Sequence, residues 1–386
     1  MTNRQRILAI LRHQKYDSLP LVHYGFWPET LFKWASQGHI TQEDAANWIN
    51  DGTPVDLKIG KRLGFDLNWA NCFVPDIELS PVFEEKVVEE LPDGYRKVLS
   101  NKGVVILKKQ GKVSIPQEFD HLLKDRASWE KHYLPKLQFS LARVNNGTVS
   151  TGQSMLKFIP EGLQFLKNDD RENPVGIYCS SLIGQIRNWL GVEGMSYLCV
   201  DDENLFDEII NTISELAYRT IEASLKTGAK FDSGQFWEDI CFKNGPLISP
   251  FFFENKIGPH YKRITDLLKK YGVDIVSVDC DGCVDALIPT WLKNGINTMF
   301  PIEVGTWNAS IKLWRQKYGS QIRGIGGVNK NIFAKDFAVI DAEIERLKPL
   351  VELGGFVPCP DHRIAPDAEW DNVRYYCDKM RMEINA

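Results

Sequence analysis

The chain has 386 residues, of which 43% are hydrophobic and 25% are charged, the balance of a folded globular protein. Its formal net charge of -5 gives no general basic field, so we expect no binding to nucleic acid. The sequence contains no run of about 18 apolar residues, so we expect no membrane span. Its eight cysteines are scattered instead of densely spaced, which predicts reduced thiols and a cytoplasmic location.

The chain begins with a predicted helix and continues as β-rich runs that alternate with helical stretches. In the first segment, Thr2 stands three residues before Gln5, which is the pattern of a capping box. Further on, period-two runs of apolar residues predict core strands. The predicted core strands are 19–26, 64–70, 175–181, 229–235, 273–281, 297–304, 322–328 and 354–360.

Helical segments separate the later strands. The stretches 203–228 and 259–272 have apolar residues three and four apart and end at glycine, a common helix stop. Eight strand and helix units favour an α/β protein of the (β/α)8 TIM barrel type, and a doubly wound open sheet is the alternative. We expect residues 1–386 to form one domain.

A β-rich insertion interrupts this rhythm at about 76–150. Polar and apolar residues alternate there around PDG and NKG turn sequences, which predicts a hairpin or a three-stranded meander. In barrels, long loops after strands build the active-site face, so we expect the insertion near that face. The stretch 151–174 is predicted to be an irregular connection.

The strand 273–281 ends in the sequence VSVDCDGCVDA at 276–286. Alternation along a strand places Cys280 on the valine face, which packs outward against helices. Asp279 and Asp281 then point inward at the carboxyl end of the strand, where barrel enzymes have their active sites. Two other interpretations stay open, namely a thiol pair of Cys280 with Cys283 and a helix cap formed by the aspartates.

A second candidate cluster follows the last strand, in the sequence GGFVPCPDHRIAPD at 354–367. His362 lies in this cluster, and nearby prolines restrict the backbone. An imidazole near carboxylates is typical of a divalent metal ligand or a general acid or base, although it can also simply fix a loop. Glu303 ends another predicted strand and is a further candidate ligand.

An ordered set of segments resembles the uroporphyrinogen decarboxylase superfamily over nearly the whole chain. The resemblance rests on SSLIGQIRNWLG, WEDICFKNGPLISP, DCDG followed by ALIPTWLKNGINTMFPIEVG, IRGIGGVNK and VPCPDHRIAPD. That superfamily is built on a (β/α)8 barrel. It holds decarboxylases beside methyltransferases that work with corrinoid proteins, so the resemblance implies one of these two activities.

The N-terminal tract distinguishes between the two branches. Uroporphyrinogen decarboxylases resemble one another in an arginine-rich tract for eight carboxylates, whereas this chain has no arginine between Arg12 and Arg62. Because arginine forks are the natural partners of carboxylates, their absence argues against that substrate. Aromatic residues near strand ends predict a pocket for an apolar or aromatic small molecule instead. The candidate substrate-binding residues are Trp27, Trp69, Phe236, Trp237 and Arg187.

The methyltransferase branch binds zinc through a His-x-Cys pair and a later cysteine. Here Asp279, Cys280 and Asp281 stand at the first position and His362 at or near the second. This chain departs from those ligands, but Asp279, Asp281 and His362 could still hold zinc less tightly, and Glu303 could join them from its strand end. The first three are the candidate catalytic residues, acting through a metal or a proton.

The resemblance implies a methyltransferase of the O-demethylase type. Its partners would be a small methylated, for example methoxylated aromatic, donor and a corrinoid (cobalamin) protein as acceptor. The alternatives are a decarboxylase with another substrate and a non-catalytic barrel that binds a small molecule or tetrapyrrole. A homodimer is compatible with the sequence.

Overall fold

The computed structural model describes residues 1–109 and 116–384 of the chain. Its strands are β1 (Val22–His23), β2 (Leu67–Asn68), β3 (Cys72–Val74), β4 (Lys86–Glu90), β5 (Tyr95–Leu99), β6 (Val104–Lys109), β7 (Glu118–His121), β8 (Thr148–Ser150), β9 (Met155–Lys157), β10 (Gly176–Tyr178), β11 (Ser233–Trp237), β12 (Cys241–Phe242), β13 (Gly245–Pro246), β14 (Val276–Asp279), β15 (Thr298–Ile302), β16 (Arg323–Val328) and β17 (Phe356–Pro360).

The helices account for most of the remaining regular structure. They are α1 (Asn3–Leu11), α2 (Pro28–Ser36), α3 (Gln42–Asn47), α4 (Pro54–Leu63), α5 (Arg126–Ser128), α6 (Leu141–Asn145), α7 (Leu163–Lys167), α8 (Ile183–Asp201), α9 (Glu203–Lys226), α10 (Pro250–Phe252), α11 (Gly258–Lys270), α12 (Ile288–Lys293), α13 (Val304–Trp307), α14 (Ile311–Tyr318), α15 (Phe337–Glu352) and α16 (Trp370–Ile384). Within the described ranges, none of these helices is both long and apolar enough to cross a bilayer.

A large, mostly parallel sheet forms the centre of the molecule. Its strand order is β17-β16-β15-β14-β11-β10-β3-β8-β9, and every pair from β17 to β3 is parallel. Helices such as α9, α11 and α15 connect successive strands, as expected for parallel pairing. The chain is therefore a mixed α/β protein in which strand carboxyl ends meet at one edge.

The first strand belongs to a separate two-stranded sheet, and main-chain hydrogen bonds join the segment after it to the segment after β17. Strand β1 pairs in parallel with β2, which lies just before β3 in the chain. Beyond β1, Phe26 forms a parallel bridge with Ile364. The amide of Trp27 donates to the Ile364 carbonyl at 3.2 Å, and the Ile364 amide donates to the Gly25 carbonyl at 3.0 Å. The segment after β1 is thus bonded to the segment after β17.

Strands lie within or beside all eight predicted runs, and β11 differs most from its prediction. It covers Ser233–Trp237 instead of 229–235, because Asp232 binds side chains from other elements before the ladder begins. The predicted helices 203–228 and 259–272 are confirmed as α9 and α11. The capping box is also confirmed, since Thr2 Oγ1 accepts from the Gln5 amide at 3.1 Å.

The predicted insertion contains a separate antiparallel sheet of order β4-β5-β6-β7. Residues 110–115 of the predicted meander lie outside the described residues. The insertion does not stay separate to its end, because β8 pairs antiparallel with β3 and extends the main sheet. The stretch 151–174, predicted to be irregular, contains β9 and α7. Strand β9 is too short for a period-two pattern to reveal it.

A buried charge cluster fixes the amino-terminal side of the sheet. Asp232 accepts from Arg4 Nε at 2.7 Å, from Arg171 Nη2 at 3.1 Å and from the Val175 amide at 2.9 Å. The Arg171 side chain is only 1% exposed. Arg171 also donates to two carbonyls of the turn before β10, at Leu166 and Asn168. The cluster therefore joins α1, this turn and β11.

We expect Arg171→Ala to lower the free energy of unfolding by about 3 kcal/mol, because truncation leaves buried acceptors without their donor. Urea denaturation measures this change. Lys262→Ala is the matched control, since Lys262 pairs with Asp266 at an exposed helix surface. Its loss should cost less than about 1 kcal/mol. Equal effects of the two substitutions would contradict a structural role for the buried cluster.

Candidate active site

A cavity of about 420 Å³ lies at the carboxyl ends of the parallel strands. Strand register brings its wall together, because Trp237, Asp279 and Phe300 are neighbours across β11, β14 and β15. The residues that line this cavity are Asn50, Asp51, Gly52, Thr53, Trp69, Ala70, Cys72, Val74, Thr148, Ser150, Met155, Tyr178, Gln235, Phe236, Trp237, Ser277, Asp279, Phe300 and Arg363. The cavity therefore combines an aromatic wall with few ionisable groups, the composition of a small-molecule site.

Asp279 is the acidic side chain of β14 that lines the cavity. Its Oδ2 accepts from the Tyr24 hydroxyl at 3.3 Å, whereas its buried Oδ1 has no hydrogen-bond partner. Burial, and then the charges of Asp239 and Asp281, raise the pKa of Asp279 well above its ordinary value. A carboxyl group in this setting holds its proton near neutral pH and can donate it.

Two further carboxyl groups lie beside Asp279. Oxygen atoms of Asp239, Asp279 and Asp281 all lie within 4.8 Å of one another. Asp239 has a positive φ of 45°, which aspartate tolerates better than most residues, and its Oδ1 accepts from the Asp281 amide at 3.1 Å. Burial and the charge of Asp281 raise the pKa of Asp239 to about 6. The loop after β11 thus adds a third carboxyl group.

His362, in the segment after β17, lies beside the three aspartates and contacts Asp281. Its Nε2 lies 3.3 Å from Asp281 Oδ2, and its side chain is 17% exposed. The imidazole is stacked between Tyr24 and Trp27, at centroid distances of 5.2 and 5.6 Å and interplanar angles of 25° and 21°. The two ring contacts restrict rotation of the imidazole and so favour its contact with Asp281.

The other predicted site residues lie in different environments. Trp69 and Trp237 line the cavity, and the Arg187 guanidinium lies 5.7 Å from the Trp237 ring centroid. Arg187 Nη2 is 4.0 Å from Asp239 Oδ2. Phe236 is also at the cavity wall, but its ring packs edge-on against Tyr261 of α11 at 5.2 Å. Strand alternation explains why Phe236 and Trp237 point in opposite directions.

Glu303 lies near the carboxyl cluster but is bonded elsewhere. Its Oε2 accepts from the Gly282 amide at 2.5 Å, and its Oε1 accepts from Thr306 Oγ1 at 2.8 Å. Burial and the charge of Asp281 raise the pKa of Glu303. With both oxygen atoms engaged, Glu303 holds the loop after β14 and lies outside the group formed by the three aspartates.

The cysteines around the site are protonated thiols. Cys280 and Cys283 are free, as predicted, and the buried Cys280 Sγ accepts from the Ile240 amide at 3.4 Å. Cys72 is the only cysteine among the described residues that line the cavity. Burial raises the pKa of Cys72 to about 12, so it is protonated and a weak nucleophile near neutral pH.

The carboxyl groups and His362 fit a divalent cation. Asp279 Oδ1 and Asp281 Oδ1 are buried without partners, as expected of atoms placed to bind a cation or a proton. Asp239, Asp279 and Asp281 would hold the ion, and His362 would contact the group through Asp281 Oδ2. The donors are oxygen-rich and contain no thiolate, which suits magnesium or manganese and permits zinc. Such an ion would polarise an oxygen atom of a bound substrate.

Comparison with solved structures identifies a similar fold. A methyltransferase from Methanosarcina mazei matches over 100% of both chains with a TM-score of 0.63 and 16% sequence identity. A Listeria monocytogenes protein described as a vitamin-B12-independent methionine synthase matches 57% of this chain and 69% of its own, with a TM-score of 0.34 and 16% identity. The first match shows a methyltransferase-like fold. No protein-family model and no curated protein matches the sequence.

Proposed function

We propose that the chain is a (β/α)8 barrel methyltransferase that demethylates a small O-methylated compound and delivers the methyl group to a corrinoid protein. The barrel would consist of eight parallel segments, and the bonds of Gly25 and Trp27 to Ile364 support its closure between the segments after β1 and β17. The observation that carries the activity is the cavity in which Asp279, with an unpartnered oxygen and a raised pKa, lies beside Trp237. The methyltransferase neighbour supports this choice.

Asp279 would act on the departing oxygen of the substrate. When the bond between the methyl carbon and this oxygen breaks, the electron pair stays on the oxygen, which is a poor leaving group as an alkoxide. A proton from Asp279 converts it into the free hydroxyl product. The rings of Trp69 and Trp237 would hold an aromatic or apolar substrate against this acid. The small volume of about 420 Å³ favours a compact donor.

The methyl acceptor must come from outside the chain. The single described cavity thiol, Cys72, is kept protonated by burial and is therefore a weak nucleophile. A corrinoid carried by a partner protein would supply the strong nucleophile that the transfer requires. This chain would contribute the cavity that orients the methyl group and the acid on the opposite side of the breaking bond.

Asp281 and His362 would return a proton to Asp279 after each turnover. His362 is partly exposed and contacts Asp281 at 3.3 Å, whereas Asp281 lies in the same carboxyl group as Asp279. This pair would carry protons from solvent to Asp279, because an imidazole has one ring nitrogen that accepts and one that donates. Tyr24, which donates to Asp279 Oδ2, would keep the acid oriented.

We expect purified protein to demethylate methoxylated aromatic compounds only when cob(I)alamin, free or on a corrinoid protein, is present. The physical reason is the absence of an activated thiolate among the described residues that line the cavity. The hydroxylated product is measured by chromatography, with and without the acceptor. Uroporphyrinogen is the control substrate and should not be converted, because the cavity offers Arg363 already paired with Asp51 and no arginine-rich tract.

A decarboxylase is the second candidate, because a neutral Asp279 beside an apolar wall can also protonate a carbanion. Loss of carbon dioxide from an aromatic acid without any corrinoid would support this candidate and contradict methyl transfer.

Metal analysis distinguishes two forms of the main proposal. If purified protein contains a divalent ion that Asp239→Asn protein lacks, the three aspartates bind the ion and it acts on the substrate oxygen. If metal-free protein is active, the proton of Asp279 acts on that oxygen.

A further inference from the structure

A continuous stack of rings and one guanidinium group surrounds His362. The Arg363 guanidinium lies 5.4 Å from the Trp27 ring centroid and 5.8 Å from the Trp48 centroid. Trp27 in turn is stacked on His362, and Tyr24 is stacked on the same imidazole. The order of the stack is therefore Tyr24, His362, Trp27, Arg363 and Trp48. It joins the segment after β1, the segment after β17 and the end of α3.

Asp51 fixes the charged member of this stack. Its Oδ2 accepts from Arg363 Nε at 2.9 Å and from Arg363 Nη2 at 2.6 Å. The Asp51 side chain is 12% exposed and that of Arg363 is 29% exposed, so water weakens the pair only in part. Two charge-assisted bonds from one guanidinium set its plane as well as its position. Asp51 therefore determines where Arg363 lies against the Trp27 ring.

The fold makes specific room for Asp51. A Cβ atom at Gly25 would lie only 1.7 Å from Asp51 Oδ1, so this arrangement requires glycine there. The next residue of the Asp51 loop is also bonded, since the Gly52 amide donates to Asp56 Oδ2 at 3.0 Å. Asp56 is fully buried at the start of α4. The loop that carries Asp51 is thus anchored to the core independently of Arg363.

We propose that Asp51 is a positioning residue for His362, acting through Arg363 and Trp27. The inference rests on the role given to His362 in the proposed function. The Asp51 carboxylate holds the guanidinium over the Trp27 ring, and Trp27 is stacked on the imidazole. The Nε2 atom of His362 is thereby kept at 3.3 Å from Asp281 Oδ2. Without the carboxylate, Trp27 and the imidazole gain freedom to rotate.

The first test measures positioning without any reaction. Protons of an imidazole stacked between two aromatic rings resonate upfield because of ring currents, so His362 of the unmodified protein should show a displaced Hε1 signal, assigned by its loss in His362→Gln protein. Asp51→Ala and Asp51→Asn should move this signal toward the position of an unstacked histidine. Glu369→Gln is the matched control, since Glu369 forms an exposed pair with Lys33 at 2.9 Å, and it should leave the signal unchanged.

The second test separates positioning from substrate binding. Asp51→Asn should lower kcat about tenfold and change KM less than threefold, because the substrate site persists while the imidazole is misaligned. Trp27→Phe retains a stacking ring and should keep most of kcat, whereas Trp27→Leu should behave like Asp51→Asn. Thermal denaturation of each variant shows whether it is folded, and Trp27→Phe keeps the test informative if Asp51→Ala does not fold.

The outcomes distinguish this inference from the proposed function. An unchanged His362 signal in the Asp51 variants overturns the positioning role, whatever happens to activity. A change confined to KM also overturns it, because Asp51 would then act on the substrate directly. A displaced signal with unchanged kcat supports the positioning role and overturns the part given to His362 in catalysis.

Discussion

Asp279→Asn should lower the rate of demethylation about 1,000-fold, within the range of general acid effects. Asparagine has nearly the same shape and can still accept the bond from Tyr24, which is 3.3 Å long in the unmodified protein. It cannot supply the acidic proton that the departing oxygen needs. Single-turnover measurement of product formation in the presence of cob(I)alamin gives the rate. Asp274→Asn is the matched control, because Asp274 forms an exposed ion pair with Arg12 before the same strand.

The same substitution should make the free energy of unfolding of the metal-free protein less dependent on pH. Burial and neighbouring charges raise the pKa of Asp279 in the folded protein, so the unfolded chain releases this proton at a lower pH than the folded one. Stability therefore falls as pH rises from about 4, the unfolded value, toward the folded pKa. Asparagine does not ionise, so urea denaturation should show Asp279→Asn gaining stability relative to the unmodified protein between pH 5 and pH 8. A relative loss over this range, or near-normal turnover, would contradict the role of Asp279.

His362→Ala should lower turnover about 100-fold or more, because it removes both the contact with Asp281 and the route for protons from solvent. The ring lies at the edge of the site, so we expect only a small change in thermal stability, within about 1.5 kcal/mol for the lost stacking. Steady-state kinetics and thermal denaturation measure the two effects separately.

A second substitution identifies which property of His362 matters. His362→Phe keeps a ring between Tyr24 and Trp27 but has no nitrogen, so we expect it to be as slow as His362→Ala. His39→Ala is the matched control: His39 is partly buried, does not line the cavity and is stacked on Trp370 at 5.3 Å, so its loss should not affect turnover. Near-normal turnover of His362→Phe would show that the imidazole only fills space.

The parts of the site that follow strand periodicity could be predicted from the sequence. Alternation along β14 separates Asp279 from Cys280, and the strand ends there because Asp and Gly follow. The position of His362 follows from its place directly after the last strand. Strand periodicity also predicts that Phe236 and Trp237 point to opposite faces. The structure agrees, since Phe236 packs against Tyr261 of α11.

The positions of Asp239 and Asp51 in the site could not be predicted from local sequence patterns. The predicted strand 229–235 ends two residues before β11 does, because the Asp232 cluster delays the start of β11. With this shifted boundary, the sequence pattern does not place Asp239 near the strand end. Asp51 belongs to a loop between two helices, lines the cavity and is paired with Arg363, which is 312 residues away in the chain. Such a pairing is decided by tertiary packing and leaves no local periodicity.

The segment at the end of β14 also bears on how such a scaffold changes during evolution. Its backbone is held by main-chain atoms, for the Cys280 amide donates to the Phe300 carbonyl at 2.9 Å. Side chains at 279 and 281 can therefore be exchanged without moving the chain that carries them. In the methyltransferase branch that the sequence resembles, a histidine and a cysteine stand where this chain has Asp279 and Asp281. Changes confined to these two side chains would therefore alter the chemistry of the site while the main-chain hydrogen bonds, and with them the architecture, persist.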